Sequence, residues 1–394
     1  MPEPRRRIAV VTTSRADYNH LYWPLRLLAQ AEDVDLKIIA LGPHLSPEFG
    51  NTARDIERDG LEIAARIECL LSSDTDIGMA KTIGVATLGL ADCLGQLRPD
   101  LLLLIADRYE FLAVASVGLA LRIPMAHIEG GEISEGAIDD AVRNALTKLC
   151  HVHFTSTAAA RARVIAMGED PWRVHKAGAP SLDHVRRSQL LTRTEIESRL
   201  DLDLSRPTAL VTYHPVTIAR DTTREADALF EALAATHIQL LFCYPNADAG
   251  SRDLIHRIKQ CGLGKVFVSL PAVEYWSLLR SVDLLIGNSS SGIMEAASFG
   301  VPAVNVGIRQ RGREHGLNVL NADPDPASIA GAIRRALSPD FRAGLQGMDN
   351  PYGDGHSAER IVEVLRTVEL GESLLIKKKN GFPSAASARA APVE

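Results

Sequence analysis

The sequence predicts an α/β protein made of two Rossmann-like, doubly wound parallel-sheet halves. Short apolar runs rich in β-branched residues alternate with helical patterns from Ile8 to Met167, the rhythm of parallel strands joined by crossover helices. After a break at Gly178-Ala179-Pro180 the rhythm starts again and runs to Val306. A chain of 394 residues also exceeds what one hydrophobic core ordinarily serves, so two domains are expected on length alone. We expect one domain over 1–180, a second over 181–375, and a disordered tail over 376–394, where small, polar and proline residues dominate.

In the first half, Ile8–Thr13 reads as a strand, followed by Ser14-Arg15-Ala16-Asp17-Tyr18 and a helix from Leu21 to Ala31. An arginine in the first βα loop can reach an anionic ligand at the strand edge, or can simply pair with Asp17. Val34–Leu41 is the next strand, Ala53–Asp59 a short helix and Asp74–Leu94 a long amphipathic one. Leu101–Ile105 and Ile123–Ile128 are apolar runs that fit strands buried on both faces. His151–Thr155 is a further strand and Ser156–Met167 a helix.

Charge follows two of these strands abruptly. Asp107-Arg108 comes after the first run, and Glu129-Gly130-Gly131-Glu132 after the second. Asp139-Asp140 then opens an amphipathic helix through Cys150. In open α/β folds ligands bind at the carboxyl edge of the sheet, where all these acids are delivered. Each also has a plain structural reading: either aspartate could cap its helix, Glu129 could be a solvated turn residue, and Asp107 could pair with Arg108. The adjacent glycines favour chemistry, because they let the backbone turn sharply or approach a ligand closely. Carboxyls in differing environments suit proton abstraction and donation.

A polar helix around Leu182–Leu200 leads into the second half, where Ala209–Thr212 ends in Tyr213-His214-Pro215 and Gln239–Cys243 in Tyr244-Pro245-Asn246. Leu284–Gly287 ends in Asn288-Ser289-Ser290-Ser291-Gly292, followed by a helix to Ser298; Ala303–Val306 is the last strand before Arg309, and Ala358–Leu370 is a closing helix. Serine hydroxyls and free N–H groups at a helix start can cradle phosphate, although at least one serine is expected to cap. Glu295, one turn in, could accept hydrogen bonds from ribose hydroxyls. No GK[ST] follows, so this is not a P-loop.

Composition narrows the class. Apolar residues make up 46% of the chain and the formal charge is −6, without a polybasic signature, which argues against nucleic acid as a partner. No apolar run approaches the roughly 20 residues that span a bilayer, so no membrane is expected. The five cysteines show no CxxC or metal-like spacing and read as reduced thiols of a cytoplasmic protein.

DRYE, HIEGGE and AIDDAVRNALTKL, with SRADY, FGNT, YHPVT, YPNADAGS, IGNSSSGIMEAASFGVPAVNVGIRQRGRE and YGDG, together resemble the hydrolysing branch of the UDP-N-acetylglucosamine 2-epimerase family. That branch includes bacterial sialic-acid pathway enzymes and the epimerase half of the animal epimerase/kinase. The likeness is collinear from about Arg7 to Leu370. It implies a GT-B-like fold with the site between the domains, a UDP-sugar as substrate, no cofactor, no metal and a homo-oligomer, dimer or tetramer. It implies loss of UDP through a 2-acetamidoglucal intermediate and rehydration to N-acetylmannosamine. Asp107, Glu129 and Asp139 match the catalytic acids. We expect Asp139 to take the C2 proton while the other two serve reprotonation and water. Arg15, Arg108, His214, Asn246, Ser289, Ser290, Ser291, Gly292, Glu295 and Arg309 match the substrate-binding positions.

Arg313 and His127 are expected to be structural, and Asn19 and His20 depart from the animal pattern. Ala106 stands where many relatives have glycine. His256 and Lys259 replace arginines that contact the animal enzyme's feedback inhibitor, so feedback is not expected. Two alternatives stay open: a UDP-2,4-diacetamido-2,4,6-trideoxyglucose hydrolase feeding legionaminic-type sugars, and a GT-B glycosyltransferase.

Overall fold

The computed structural model describes residues 5–377; the expected tail from residue 378 onward lies outside the described residues. The first sheet holds β1 (Arg6–Thr12), β2 (Val34–Leu41), β3 (Ile63–Ile67), β4 (Leu101–Ile105), β5 (Met125–Ile128), β6 (Val152–Thr155) and β7 (Val174–Lys176) in the order β3-β2-β1-β4-β5-β6-β7. The second holds β8 (Thr208–Thr212), β9 (Gln239–Cys243), β10 (Gly264–Phe267), β11 (Leu284–Gly287), β12 (Ala303–Val306) and β13 (Val319–Ala322) in the order β10-β9-β8-β11-β12-β13. All pairings are parallel. Strand order reverses between β1 and β4 in one sheet and between β8 and β11 in the other, so each sheet has a switch-point crevice at its carboxyl edge.

The central strands are near-continuous apolar runs because helices cover both faces; all five residues of Leu101–Ile105 are fully buried. The edge strands β3, β7, β10 and β13 carry polar or exposed positions and were not anticipated. The polar helix expected around Leu182–Leu200 is two short ones, Asp183–Arg187 and Arg193–Leu200.

The chain crosses between the halves twice. Ala179 N–H donates to Tyr352 O at 2.8 Å, and the Asp183 carboxylate accepts Ser357 and Ala358 N–H groups, both at 2.9 Å. Gly178 sits here at φ +91, where a Cβ would come within 2.7 Å of Ser357 Oγ. The helix Ser357–Thr367 then returns to the first half, burying Ile361, Val362 and Leu365 in its core. Its end is tethered as well. Arg173 donates to Leu374 O at 2.8 Å, and Lys377 donates to Cys150 O at 2.6 Å while pairing with Glu169 at 2.7 Å. The expected tail is therefore held in place at its first residues, Ile376 and Lys377.

The helix Asp76–Leu97 is, by length and composition alone, long and apolar enough to cross a bilayer, which the absence of a long uncharged run did not suggest. Its Thr82, Ala86, Leu90 and Leu94 are nonetheless fully buried against the first domain.

Candidate active site

The loops after β1, β4, β5, β8 and β11 converge on an interdomain cleft. After β1 the chain turns about Asp17, whose carboxylate accepts the Thr13 and Ser14 N–H groups at 3.0 Å each. Asp17 is thus satisfied without Arg15. The Arg15 side chain lines the cleft and donates to Val268 O of the second domain at 3.3 Å.

Asp107, Glu129 and Asp139 all line this cleft. Asp107 follows Ala106, which takes a left-handed φ of +57, and it is ion-paired with the buried Arg143. Burial alone would raise its pKa, but Arg143, Arg313 and Arg309 hold it below the ordinary carboxylate value. Glu129 is not a solvated turn residue: it is 4% exposed, at φ +68, and its N–H donates to Phe154 O at 2.7 Å. Gly131 completes the turn at φ +82, so tightly that a Cβ would lie 2.3 Å from Ala160 O.

The two aspartates of the next helix divide their roles. Neither caps it, since the N-cap is Ile138. Asp140 is tied inward, accepting Ser134 N–H at 2.8 Å and pairing with Arg143 at 3.3 Å. Asp139 faces the cleft, where burial and then the Asp107 charge push its pKa up to about 6.

Across the cleft, His214 accepts Asn246 N–H on Nδ1 at 3.2 Å, which leaves its proton on Nε2. Burial, with Arg309, Arg15 and Arg108 nearby, holds its pKa well below the ordinary value, so it offers a neutral donor rather than a cation. After β11 the expected helix to Ser298 is four residues, Ser291–Met294, continued by a 3-10 turn. So short a helix contributes little dipole, and anion binding falls to individual groups. Ser289 and Ser290 line the cleft. Ser291 is already engaged, hydrogen-bonded to Tyr275 Oη at 2.5 Å and donating to Glu295. Gly292 does not line the cleft; a Cβ there would lie 3.0 Å from Leu285 Cδ2 and 3.3 Å from Ala303 Cβ. Arg309 donates to Asn288 O at 3.1 Å, and its buried Nε has no partner.

Arg108 was expected among the substrate-binding residues. It lines the cleft, but its guanidinium is committed to Glu110 at 2.9 Å and to Asp248 of the second domain at 3.2 Å. Arg313, expected to be structural, faces the same cleft and is held from behind by Glu132 at 3.6 Å. His127 donates from Nε2 to Ala106 O at 2.7 Å, outside the cleft lining.

His20 is the residue that sequence reading passed over. Its Nδ1 lies 2.7 Å from Glu129 Oε1, and its Nε2 lies 3.6 Å from Glu295 Oε1. Burial would lower its pKa, but the two carboxylates push it up to about 9. Its sequence signal was only its place in the first helix, five residues after Arg15.

The cleft is thus an acid cluster facing arginines at two sheet switch points, as suits an anionic ligand that undergoes proton transfer. Comparison with known proteins agrees. A family model described as UDP-N-acetylglucosamine 2-epimerase matches residues 26–366. The chain is 37% identical to a Legionella pneumophila protein named UDP-N,N'-diacetylbacillosamine 2-epimerase (hydrolyzing), over 94% of this chain and 98% of that one. It is 30% identical to a Neisseria meningitidis UDP-N-acetylglucosamine 2-epimerase, over 92% and 96% of the two chains. In fold it resembles a crystal structure of a UDP-GlcNAc 2-epimerase from Neisseria meningitidis bound to UDP-GlcNAc, with TM-score 0.76, 14% identity, and coverage of 91% and 99%. The chain belongs to the UDP-N-acetylglucosamine 2-epimerase family, with two parallel-sheet domains of the GT-B-like kind.

Proposed function

We propose that this protein hydrolyses a UDP-linked 2-acetamido sugar with inversion at C2, releasing UDP and the free 2-epimer. The observation that carries this reading is the split among three acids in one cleft. Asp139 is held near pKa 6, while arginines and His20 keep Asp107 and Glu129 ionised. A carboxylate with a pKa near 6 is still free at neutrality and more basic than an ordinary one, as C2 deprotonation requires.

In this scheme Asp139 takes H2 as the C1–O bond breaks, and the electron pair leaves with the diphosphate. A 2-acetamidoglucal remains. Arg15, Arg309 and the Ser289–Ser290 segment receive the departing charge. Water then adds its oxygen to C1 and gives a proton to Asp107. The new C2 proton arrives on the opposite face from the His20–Glu129 pair. Asn246 and the neutral His214 supply hydrogen bonds, and Glu295 holds the ribose.

For the sugar we place UDP-2,4-diacetamido-2,4,6-trideoxyglucose ahead of UDP-N-acetylglucosamine, reversing the order expected from the motifs. The support is the higher identity to the diacetylbacillosamine enzyme, 37% against 30%. The five free thiols fit a cytoplasmic setting.

Proton NMR in D2O with each nucleotide sugar, without acceptor, tests the reading. Free UDP and a 2-epimer deuterated at C2 are expected, with at least tenfold higher kcat/KM for the diacetamido sugar. A UDP-linked epimer would mean non-hydrolysing chemistry. Preference for UDP-N-acetylglucosamine would restore the sialic-acid assignment, and turnover only with a sugar acceptor would replace both with glycosyl transfer.

A further inference from the structure

Arg313 lines the cleft, is 8% exposed, and has no part in the proposed reaction. It is carried by the loop between β12 and β13 of the second domain. Arg309, in the same loop, reaches Asn288 O and so stands beside the serines that follow β11. Arg313 turns to the acids instead. Its Nε lies 3.6 Å from Oε2 of Glu132, which belongs to the first-domain turn that also carries Glu129. Glu132 is buried, and Tyr352 Oη stands 3.2 Å from the same Oε2. A buried acid and a buried phenol thus hold the guanidinium from behind. On the cleft side its positive charge helps to hold the carboxyls of Asp107 and Glu129 below their ordinary pKa.

Much of this guanidinium is unspent. Nη1 donates to Gln310 Oε1 at 3.0 Å, and Nη2 to the weak acceptor Met294 Sδ at 3.4 Å. Each of these nitrogens carries a second N–H, and the buried Nε has no hydrogen-bond partner. Among the described residues, Glu132 is the only ion-pair partner of Arg313. The equally buried Arg143 differs, being engaged by Glu132 O, Ser134 Oγ, Asp107 and Asp140. A buried cation with spare donors beside a cleft is arranged for an acceptor that the ligand brings. In a UDP-linked 2-acetamido sugar, the diphosphate oxygens belong with Arg15, Arg309 and the Ser289–Ser290 segment. The reacting carbons C1 and C2 belong beside the acids, where Arg313 stands. The acceptor attached at C2 is the acetamido carbonyl, whose two lone pairs suit two N–H groups of one planar guanidinium.

We propose that Arg313, held by Glu132 and Tyr352, binds the 2-acetamido carbonyl of the sugar and selects N-acetylated over 2-hydroxy sugars. The inference rests on the proposed reaction for placing C2 beside the acids. Its test reads binding, whereas failure of that reaction would show in turnover. Calorimetry on the full chain carrying Asp139→Asn, which keeps the sugar intact, compares UDP, UDP-glucose and UDP-N-acetylglucosamine. UDP-N-acetylglucosamine is expected to bind about tenfold or more tighter than UDP-glucose, the worth of a charged hydrogen bond. Adding Arg313→Met should abolish that preference and leave the affinity for UDP unchanged. Arg313→Met alone strands the buried Glu132 charge, so a second variant combines it with Glu132→Gln and should give the same loss of preference. A preference that survives in either variant would overturn the proposal, as would a parent cleft that does not distinguish the two sugars. Equal weakening of UDP and both sugars would also overturn it, by assigning Arg313 to the diphosphate. Turnover persisting in Asp139→Asn would count against the base and leave this contact standing.

Discussion

Asp139 and His20 both sit above their ordinary pKa values, for opposite reasons. Burial and a neighbouring carboxylate raise Asp139, and two carboxylates outweigh burial at His20. If Asp139 is the base, it must be deprotonated, so kcat/KM should fall as pH drops through about 6. If His20 carries the returning proton, it must be protonated, so kcat/KM should fall again as pH rises through about 9. A bell-shaped profile with these limbs is expected, and His20→Gln should remove the alkaline limb. An unchanged limb in that variant would take His20 out of proton transfer. Asp139→Asn should lower kcat by roughly 100-fold or more while UDP affinity, read by calorimetry, stays within a few-fold. Near-normal turnover would withdraw the base assignment.

The turn after β4 decides where Asp107 points. Ala106 occupies the left-handed region there at φ +57, a conformation that glycine adopts without Cβ strain. The departure from relatives noted at this position therefore has a physical cost. Ala106→Gly should relieve it, offset in part by the greater freedom of glycine in the unfolded chain. The net expected is a gain of at most about 1 kcal/mol, seen as a small rise in melting temperature. A clear loss of stability would show that the turn is not strained. At the far end of the Asp139 helix, Lys377 caps the last carbonyls, so a residue near the chain's end steadies the element carrying the proposed base.

Two kinds of contact bridge the domains, and their burial separates their worth. Arg252 reaches Glu48 at 2.7 and 3.0 Å, with both side chains more than a third open to solvent or close to it. Arg108 reaches Glu110 and Asp248 with all three buried. Exposed pairs contribute about 0–1 kcal/mol, whereas removing one partner of a buried network strands the others at about 3–5 kcal/mol. Arg252→Ala should hence be nearly silent in thermal unfolding, and Arg108→Ala strongly destabilising. Equal effects would mean that the Arg108 network is open to water.

Local chemistry sufficed for much of this. Nine central strands were legible as short apolar runs, because a strand covered on both faces must be apolar throughout. The four missed strands, β3, β7, β10 and β13, are the four sheet edges, where one side meets solvent and the run is broken by polar residues. The acids at Asp107, Glu129 and Asp139, and the loops at Arg15, His214 and Ser290, were legible because strand ends at a switch point are where charge and glycine collect. Tertiary structure alone decided the surroundings of each. Whether Arg108 meets a ligand or Asp248, and whether His20 is neutral or charged, depend on groups distant in the chain. Pairing energies and desolvation are set by distances across the cleft, and no local pattern encodes those distances.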